Sequence, residues 1–164
     1  MNFTRPNDRG VDSYNRMGHL VENFVKFPER RKDCFLALGE GWSGCDDIVG
    51  SSAMLVQIFS DASRGELDLL MTSEERDALA ALPMSVTIYR GCFHDNKRGL
   101  SWSLDRDIAA GFTLFNRYCR PEAKRLLVTA RIPRARIIAL KLDRCESEVI
   151  AVRPKVISVE VVGA

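Results

Sequence analysis

Leu82-Pro83-Met84-Ser85-Val86-Thr87-Ile88-Tyr89-Arg90-Gly91 decides the fold class, because the period of the sequence changes inside it. Before Pro83, apolar residues recur at helical spacing. After it, Val86 and Ile88 alternate with Thr87 and Tyr89, the two-residue period of a strand. Proline closes the helical run because it has no amide hydrogen to donate. Reading back from this point, Thr72 and Glu75 fit a capping box, which predicts a helix running to Leu82. A stretch over 46–59 puts Ile48, Val49, Leu55, Ile58 and Phe59 on one apolar face. An earlier helix carries Tyr14, Met17, Leu20, Val21, Phe24 and Val25 as its stripe, and Pro28 ends it or kinks it. The run from Arg31 to Leu38 is too short to assign.

Reading forward, Gly91 to Gly99 is polar and loop-like, and Leu100 to Leu104 is a short strand. Asp105 is placed to cap a helix bearing Ile108, Phe112 and Phe115. Four β-rich runs follow, over 125–132, 136–142, 149–152 and 156–162, punctuated by Pro133 and Pro154. Helices first and strands later is an α+β order, distinct from β-α-β alternation. The expectation is one domain over 1–164, with a mainly helical part at 1–83 and a β-rich part at 84–164.

Composition narrows the function classes. The 164 residues carry 24 Lys and Arg against 22 Asp and Glu, so the net charge of +2 makes no electrostatic case for nucleic acid or an acidic membrane. No apolar run approaches the ~20 residues that span a bilayer. Met1 to Pro6 has no apolar signal core, and the expected location is the cytosol. The five cysteines, Cys34, Cys45, Cys92, Cys119 and Cys145, are scattered and form no C-x-x-C, which speaks against a disulfide framework or a structural zinc site. With two histidines, His19 and His94, a three-histidine metal centre is excluded. Chemistry here has to rest on carboxylates, hydroxyls and arginines.

Gly39-Glu-Gly-Trp-Ser-Gly44 matches the dinucleotide pattern G-x-G-x-x-G, but the fingerprint needs a preceding strand and an alternating β-α order. The rest of the chain does not alternate, so the expectation is a loop between helices. Cys92, His94 and Asp95 are nearly adjacent in sequence, which does not place them as a nucleophile and its base.

Three elements of the β-rich part stand out together. Ile88-Tyr89-Arg90-Gly91 places an arginine near a strand end, a permanently charged fork suited to phosphate. Ser101-Trp102-Ser103 puts two hydroxyls on one face of a short strand and directs Trp102 the other way. Glu146-Ser147-Glu148-Val149-Ile150 offers two carboxylates leading into an apolar strand. An anchored dinucleotide beside carboxylates suits cleavage of a glycosidic bond through an oxocarbenium-like transition state.

In this order, Tyr-Arg-Gly, then Ser-Trp-Ser-Leu-Asp-Arg-Asp-x-Ala-x-x-Phe, then Glu-x-Glu-Val-Ile resembles the arginine–serine–glutamate class of mono-ADP-ribosyltransferases, which includes bacterial toxins and phage enzymes. The resemblance covers about residues 86–162. Where that class often has Ser-Thr-Ser, this chain has Trp102 in the middle. The resemblance implies two small β-sheets packed across a cleft that holds NAD. It places Arg90 and Gly91 in the NAD site and makes Ser101 and Ser103 the serine strand that braces the cleft, with Ser101 holding the catalytic glutamate. It makes Glu148 that glutamate, bonding the 2′-hydroxyl of the nicotinamide ribose. It puts Glu146 on the acceptor-recognition turn, a position where a glutamate goes with arginine as acceptor. No metal is implied. The expected function is NAD-dependent transfer of ADP-ribose to a protein arginine. The alternatives are NAD hydrolysis and a non-catalytic module of the same fold that binds NAD or a protein.

Overall fold

In the computed structural model, which describes residues 2–115, 120, 122–143 and 147–162, the change of period at Pro83 separates helix from sheet. The chain forms two compact units, Met1–Arg76 and Asp77–Ala164. Five helices precede Pro83: α1 (Arg16–Lys26), α2 (Arg31–Gly41), α3 (Ser52–Ser60), α4 (Arg64–Leu67) and α5 (Ser73–Ala81).

In the first unit, α1 buries Met17, Leu20 and Val21 against a core that includes Phe35, Leu38, Trp42, Leu55 and Leu70. Phe24 meets Phe35 edge-on at 5.0 Å between ring centroids. The predicted stripe was too wide by two residues. Tyr14 precedes the helix and is 69% exposed, and Val25 is 67% exposed. The unassigned segment after Pro28 is a full helix, α2. Its sequence hides this because Cys34, Phe35, Ala37, Leu38, Gly39 and Gly41 are all buried, and burial on several sides leaves no amphipathic period.

The Gly39 to Gly44 stretch, expected as a loop, is the last turn of α2 followed by a 3₁₀ turn over Trp42–Gly44. Gly39 serves packing there: a Cβ on it would sit 2.4 Å from the carbonyl oxygen of Leu70. Glu66 belongs to a reciprocal cap with Ser63 and also accepts from Arg31 Nε at 2.6 Å. The hydrogen bonds from Ser63, and then the Arg31 charge, hold its carboxyl below the ordinary carboxylate range. At the start of α5 the Thr72–Glu75 box forms in both directions, at 2.8 and 3.2 Å.

The second unit is built on one antiparallel six-stranded sheet: β1 (Ser85–Cys92), β2 (Ser101–Ser103), β3 (Leu126–Pro133), β4 (Ala139–Lys141), β5 (Glu148–Ile150) and β6 (Lys155–Val161). The strand order is β4-β5-β2-β1-β3-β6. The class is α+β as expected, but the two separate sheets of the expectation are replaced by a single ladder. The halves β4-β5-β2 and β1-β3-β6 join through one residue pair, Tyr89 opposite Ser103. A junction of one pair depends on register, which no local residue pattern encodes.

One face of β1 and β3 carries Val86, Ile88, Val128, Ala130 and Ile132, all buried. The short helix α6 (Arg106–Gly111) lies on the other face, capped by Asp105, whose Oδ1 accepts from the amides of Asp107 and Ile108 at 2.8 and 3.0 Å. Its approach depends on Gly91, where a Cβ would lie 1.8 Å from the carbonyl oxygen of Ala109. Arg134 closes the C-terminal end of α5 by donating to the carbonyls of Ala80 and Leu82. No helix among the described residues is long and apolar enough to cross a membrane.

Candidate functional site

The register of the sheet lines up polar residues across every strand. Lys141 of β4 stands opposite Glu148 of β5, and Glu148 opposite Ser103 of β2. Ser103 stands opposite Tyr89 of β1, Tyr89 opposite Thr129 of β3, and Thr129 opposite Ser158 of β6. Directly paired residues of an antiparallel ladder share a face, with Cβ atoms about 4.5–5.5 Å apart. This row is therefore one continuous polar line on one side of the sheet. Trp102 and Val149, paired on the opposite side, are buried, and Trp102 donates to Gly99 O at 3.0 Å.

Arg90 enters the same region by a different route. Alternation from Tyr89 aims it away from the polar line, alongside Ile88 and Cys92. Beyond the Tyr89–Ser103 pair, however, β1 and β2 no longer pair, and the Arg90 side chain reaches β2. Its Nε donates to Asn96 O at 3.2 Å and its Nη1 donates to Ser101 O. Nη2 makes no hydrogen bond among the described residues. The flat face of Gly99 makes room for the fork, since a Cβ there would fall 2.2 Å from Nη2 and 2.4 Å from the guanidinium carbon. Burial pulls the Arg90 guanidinium below its ordinary pKa, and the nearby Cys92 and Glu148 pull the other way. Burial likewise pushes the Cys92 thiol up.

The expected residues thus fall as follows. Arg90, Ser101, Ser103 and Glu148 come from three strands, β1, β2 and β5, which meet at the junction of the two half-sheets. Ser103, not Ser101, is the direct cross-strand partner of Glu148; Ser101 is opposite Ile150, two residues along the same face. The Ser103 hydroxyl also accepts from the Asp105 amide at 2.9 Å, which ties the serine strand to the cap of α6. Gly91 faces the backbone of α6. Glu146 lies outside the described residues.

Sequence reasoning missed Lys141, a buried lysine that ends β4 directly opposite Glu148. It also missed the loop that holds the arginine, where Asn96 turns back to accept from Arg90 and its Oδ1 accepts from the Phe93 amide at 2.8 Å. Arg120 reaches this loop, donating to Asp95 at 2.7 Å with its guanidinium carbon 5.0 Å from the centre of the Phe93 ring.

A guanidinium with one nitrogen uncommitted can take a phosphate oxygen in a charge-assisted hydrogen bond. A carboxylate beside a hydroxyl can bond a sugar hydroxyl and face a developing cation. Among the described residues, no group of three or more His, Cys, Asp or Glu side chains is placed to hold a metal ion. Comparisons with models of known protein families, with curated proteins and with solved structures find no match.

Proposed function

We propose that the chain is an NAD-dependent mono-ADP-ribosyltransferase that modifies protein arginine. One observation carries this reading. An arginine, a pair of strand serines and a glutamate, distant in sequence, lie on the consecutive strands β1, β2 and β5, with Arg90 Nη1 donating to Ser101 O and Glu148 close enough to Arg90 to act on its charge. In this reading Arg90 Nη2 takes the phosphate side of NAD. Glu148 accepts a hydrogen bond from the 2′-hydroxyl of the nicotinamide ribose and stabilises positive charge on that sugar. The bond between the anomeric carbon and the pyridinium nitrogen breaks, and its electron pair leaves with neutral nicotinamide. An arginine nitrogen of the acceptor attacks the anomeric carbon and loses one proton, for which Glu146 is the base.

The test incubates the purified protein with labelled NAD and a cell lysate, then locates the label by mass spectrometry. Label on arginine side chains is the expected result. Absence of both labelled protein and released nicotinamide contradicts the reading. In the same assay Glu146→Gln loses transfer to arginine and retains NAD hydrolysis; equal loss of both would remove Glu146 from acceptor activation.

Gly99 provides an independent check on the arginine. A methyl group at 99 displaces the guanidinium, a flexible side-chain tip, while leaving the backbone in place. Gly99→Ala therefore keeps the wild-type Tm within a few degrees. It weakens NAD binding by roughly 10–100-fold, the worth of one charge-assisted hydrogen bond. Calorimetric titration with NAD reads the affinity, and unchanged binding would take Arg90 out of the phosphate site.

A further inference from the structure

Strand β6 ends the strand order of the sheet, so one of its two sides has no neighbouring strand among the described residues. Sheet edges are ordinarily short, charged or covered, because a row of open amides and carbonyls is a template for another strand. This edge is seven residues long, and its Val156, Ile157, Val159 and Val161 are 48–61% exposed. Its charges are Lys155 near one end and Glu160 near the other.

The ladder with β3 fixes where each residue of this edge points. Val156, Val159 and Val161 stand opposite Ala130, Val128 and Leu126, alternate residues of β3, and so share one face. Lys155 and Glu160 stand opposite Arg131 and Leu127 and share the other face, the side on which Arg106 of α6 donates to Glu160 Oε2 at 3.0 Å. In a regular strand these two positions would lie on opposite faces. The register shift at Thr129/Ala130, which leaves Ile157 unpaired, brings them to the same one. Val162 N donates to Arg125 O at 3.0 Å, so alternation turns the amides and carbonyls of Val159 and Val161 to the open edge, and those of Val156, opposite Ala130, likewise. Lys155 and Arg131 are like charges directly across the ladder, an arrangement that a nearby carboxylate relieves.

These positions are self-complementary, and we propose that β6 is the surface at which two copies of this chain pair, antiparallel, about a two-fold axis perpendicular to the sheet. The axis passes between Ile157 and Ser158. Val156 of each copy then stands opposite Val159 of the other in a hydrogen-bonded pair, because both turn their backbone groups outward. Lys155 of each copy stands opposite Glu160 of the other on the α6 face, which sets a carboxylate beside the Lys155–Arg131 pair. The exposed valines of both copies form one apolar patch on the opposite face. Each copy contributes the same surface, as an isologous dimer requires. Charge complementarity argues for a second copy as the occupant: β6 in this register covers the valines and meets both charges at once. The proposal does not depend on the NAD reading.

The test is sedimentation velocity of the purified full chain across a dilution series. Wild type is expected to reach the mass of two chains by about 100 μM and to dissociate on dilution, as mass action requires. Val159→Lys, which puts an ammonium into both hydrogen-bonded pairs, is expected to remain a single chain throughout. Lys155→Glu sets two carboxylates against each other twice in the dimer and is expected to raise its dissociation constant about 10–30-fold. Adding Glu160→Lys to that variant reverses both pairs and is expected to recover most of the affinity.

Wild type that stays a single chain at about 500 μM overturns the proposal, since an interface weaker than that holds no dimer. A dimer that Val159→Lys leaves intact overturns it too, because its interface lies elsewhere. So does a double variant no tighter than Lys155→Glu. Amide hydrogen exchange reads the same edge in wild type. Val156 and Val159 are expected to exchange slowly in the dimer and fast after dilution, and protection that survives dilution to single chains means the chain covers its own edge and refutes the pairing.

Discussion

Glu148→Gln is expected to lower nicotinamide release and protein labelling by about 10²–10³-fold, the usual cost of removing one preorganised electrostatic partner of a transition state. Glutamine keeps the shape of the side chain and its capacity to accept a hydrogen bond. It removes the negative charge, and only the charge meets the oxocarbenium-like sugar. Because the proposed reading spreads the ground-state contacts of NAD over Arg90 and the serine strand, NAD affinity is expected to stay within a few-fold of wild type. The loss therefore falls on kcat. In the ladder Glu148 stands opposite Lys141 on one side and Ser103 on the other. Label transfer at the wild-type rate would remove Glu148 from the reaction.

Gly91→Ala is expected to be the most damaging single methyl group in the second unit. The added Cβ would lie 1.8 Å from the carbonyl oxygen of Ala109 and 2.9 Å from its carbonyl carbon. These are backbone atoms of α6, which unlike a side-chain tip cannot swing aside, so the helix has to lift from β1. Overpacking of this kind costs about 3 kcal/mol, the upper end of its usual range. For a unit of this size that corresponds to a fall in Tm of about 10–20 °C. Gly111→Ala, at the end of the same helix, meets nothing within 4 Å and is the matched control. It is expected to be neutral or mildly stabilising, because alanine outperforms glycine in a helix by about 1 kcal/mol. A scan in which the two variants melt alike would show that α6 does not depend on the bare backbone at 91. Gly91 carries the resemblance as part of Tyr-Arg-Gly, and the contact with α6 supplies a packing reason for glycine at that position.

The parts of this fold that the sequence expressed locally were legible in it. Thr72 with Glu75, and Asp105 ahead of its helix, are short-range hydrogen-bonding patterns, and both form as the residues dictate. The alternation after Pro83 located β1, although the strand runs on through Gly91 and Cys92 because β3 supplies partners for both. What depended on burial from several sides was not legible. Helix α2 has buried residues around much of its circumference and two glycines in its last turn, so neither period nor propensity marked it.

The site divides in the same way. Arg90, the serines and Glu148 were identifiable as residue types in order, yet which serine meets the glutamate is a matter of register. The structure places Ser103 there and leaves Ser101 to accept from Arg90 through its carbonyl. Lys141 was unreadable for a related reason. The β-rich run over 136–142 begins with a 3₁₀ turn at Arg134–Arg136, and only Ala139–Lys141 pairs as strand, so the face of Lys141 could not be assigned by counting.

The central claim is that a guanidinium, a serine strand and a carboxylate surround the bond between nicotinamide and its ribose. It is tested most directly by a crystal structure of the protein with a non-hydrolysable NAD analogue. The account predicts a phosphate oxygen of the analogue on Arg90 Nη2 and the 2′-hydroxyl of the nicotinamide ribose on the Glu148 carboxylate, with Ser103 beside it. An analogue bound elsewhere at saturating concentration, with Arg90 and Glu148 both left to solvent, would contradict it.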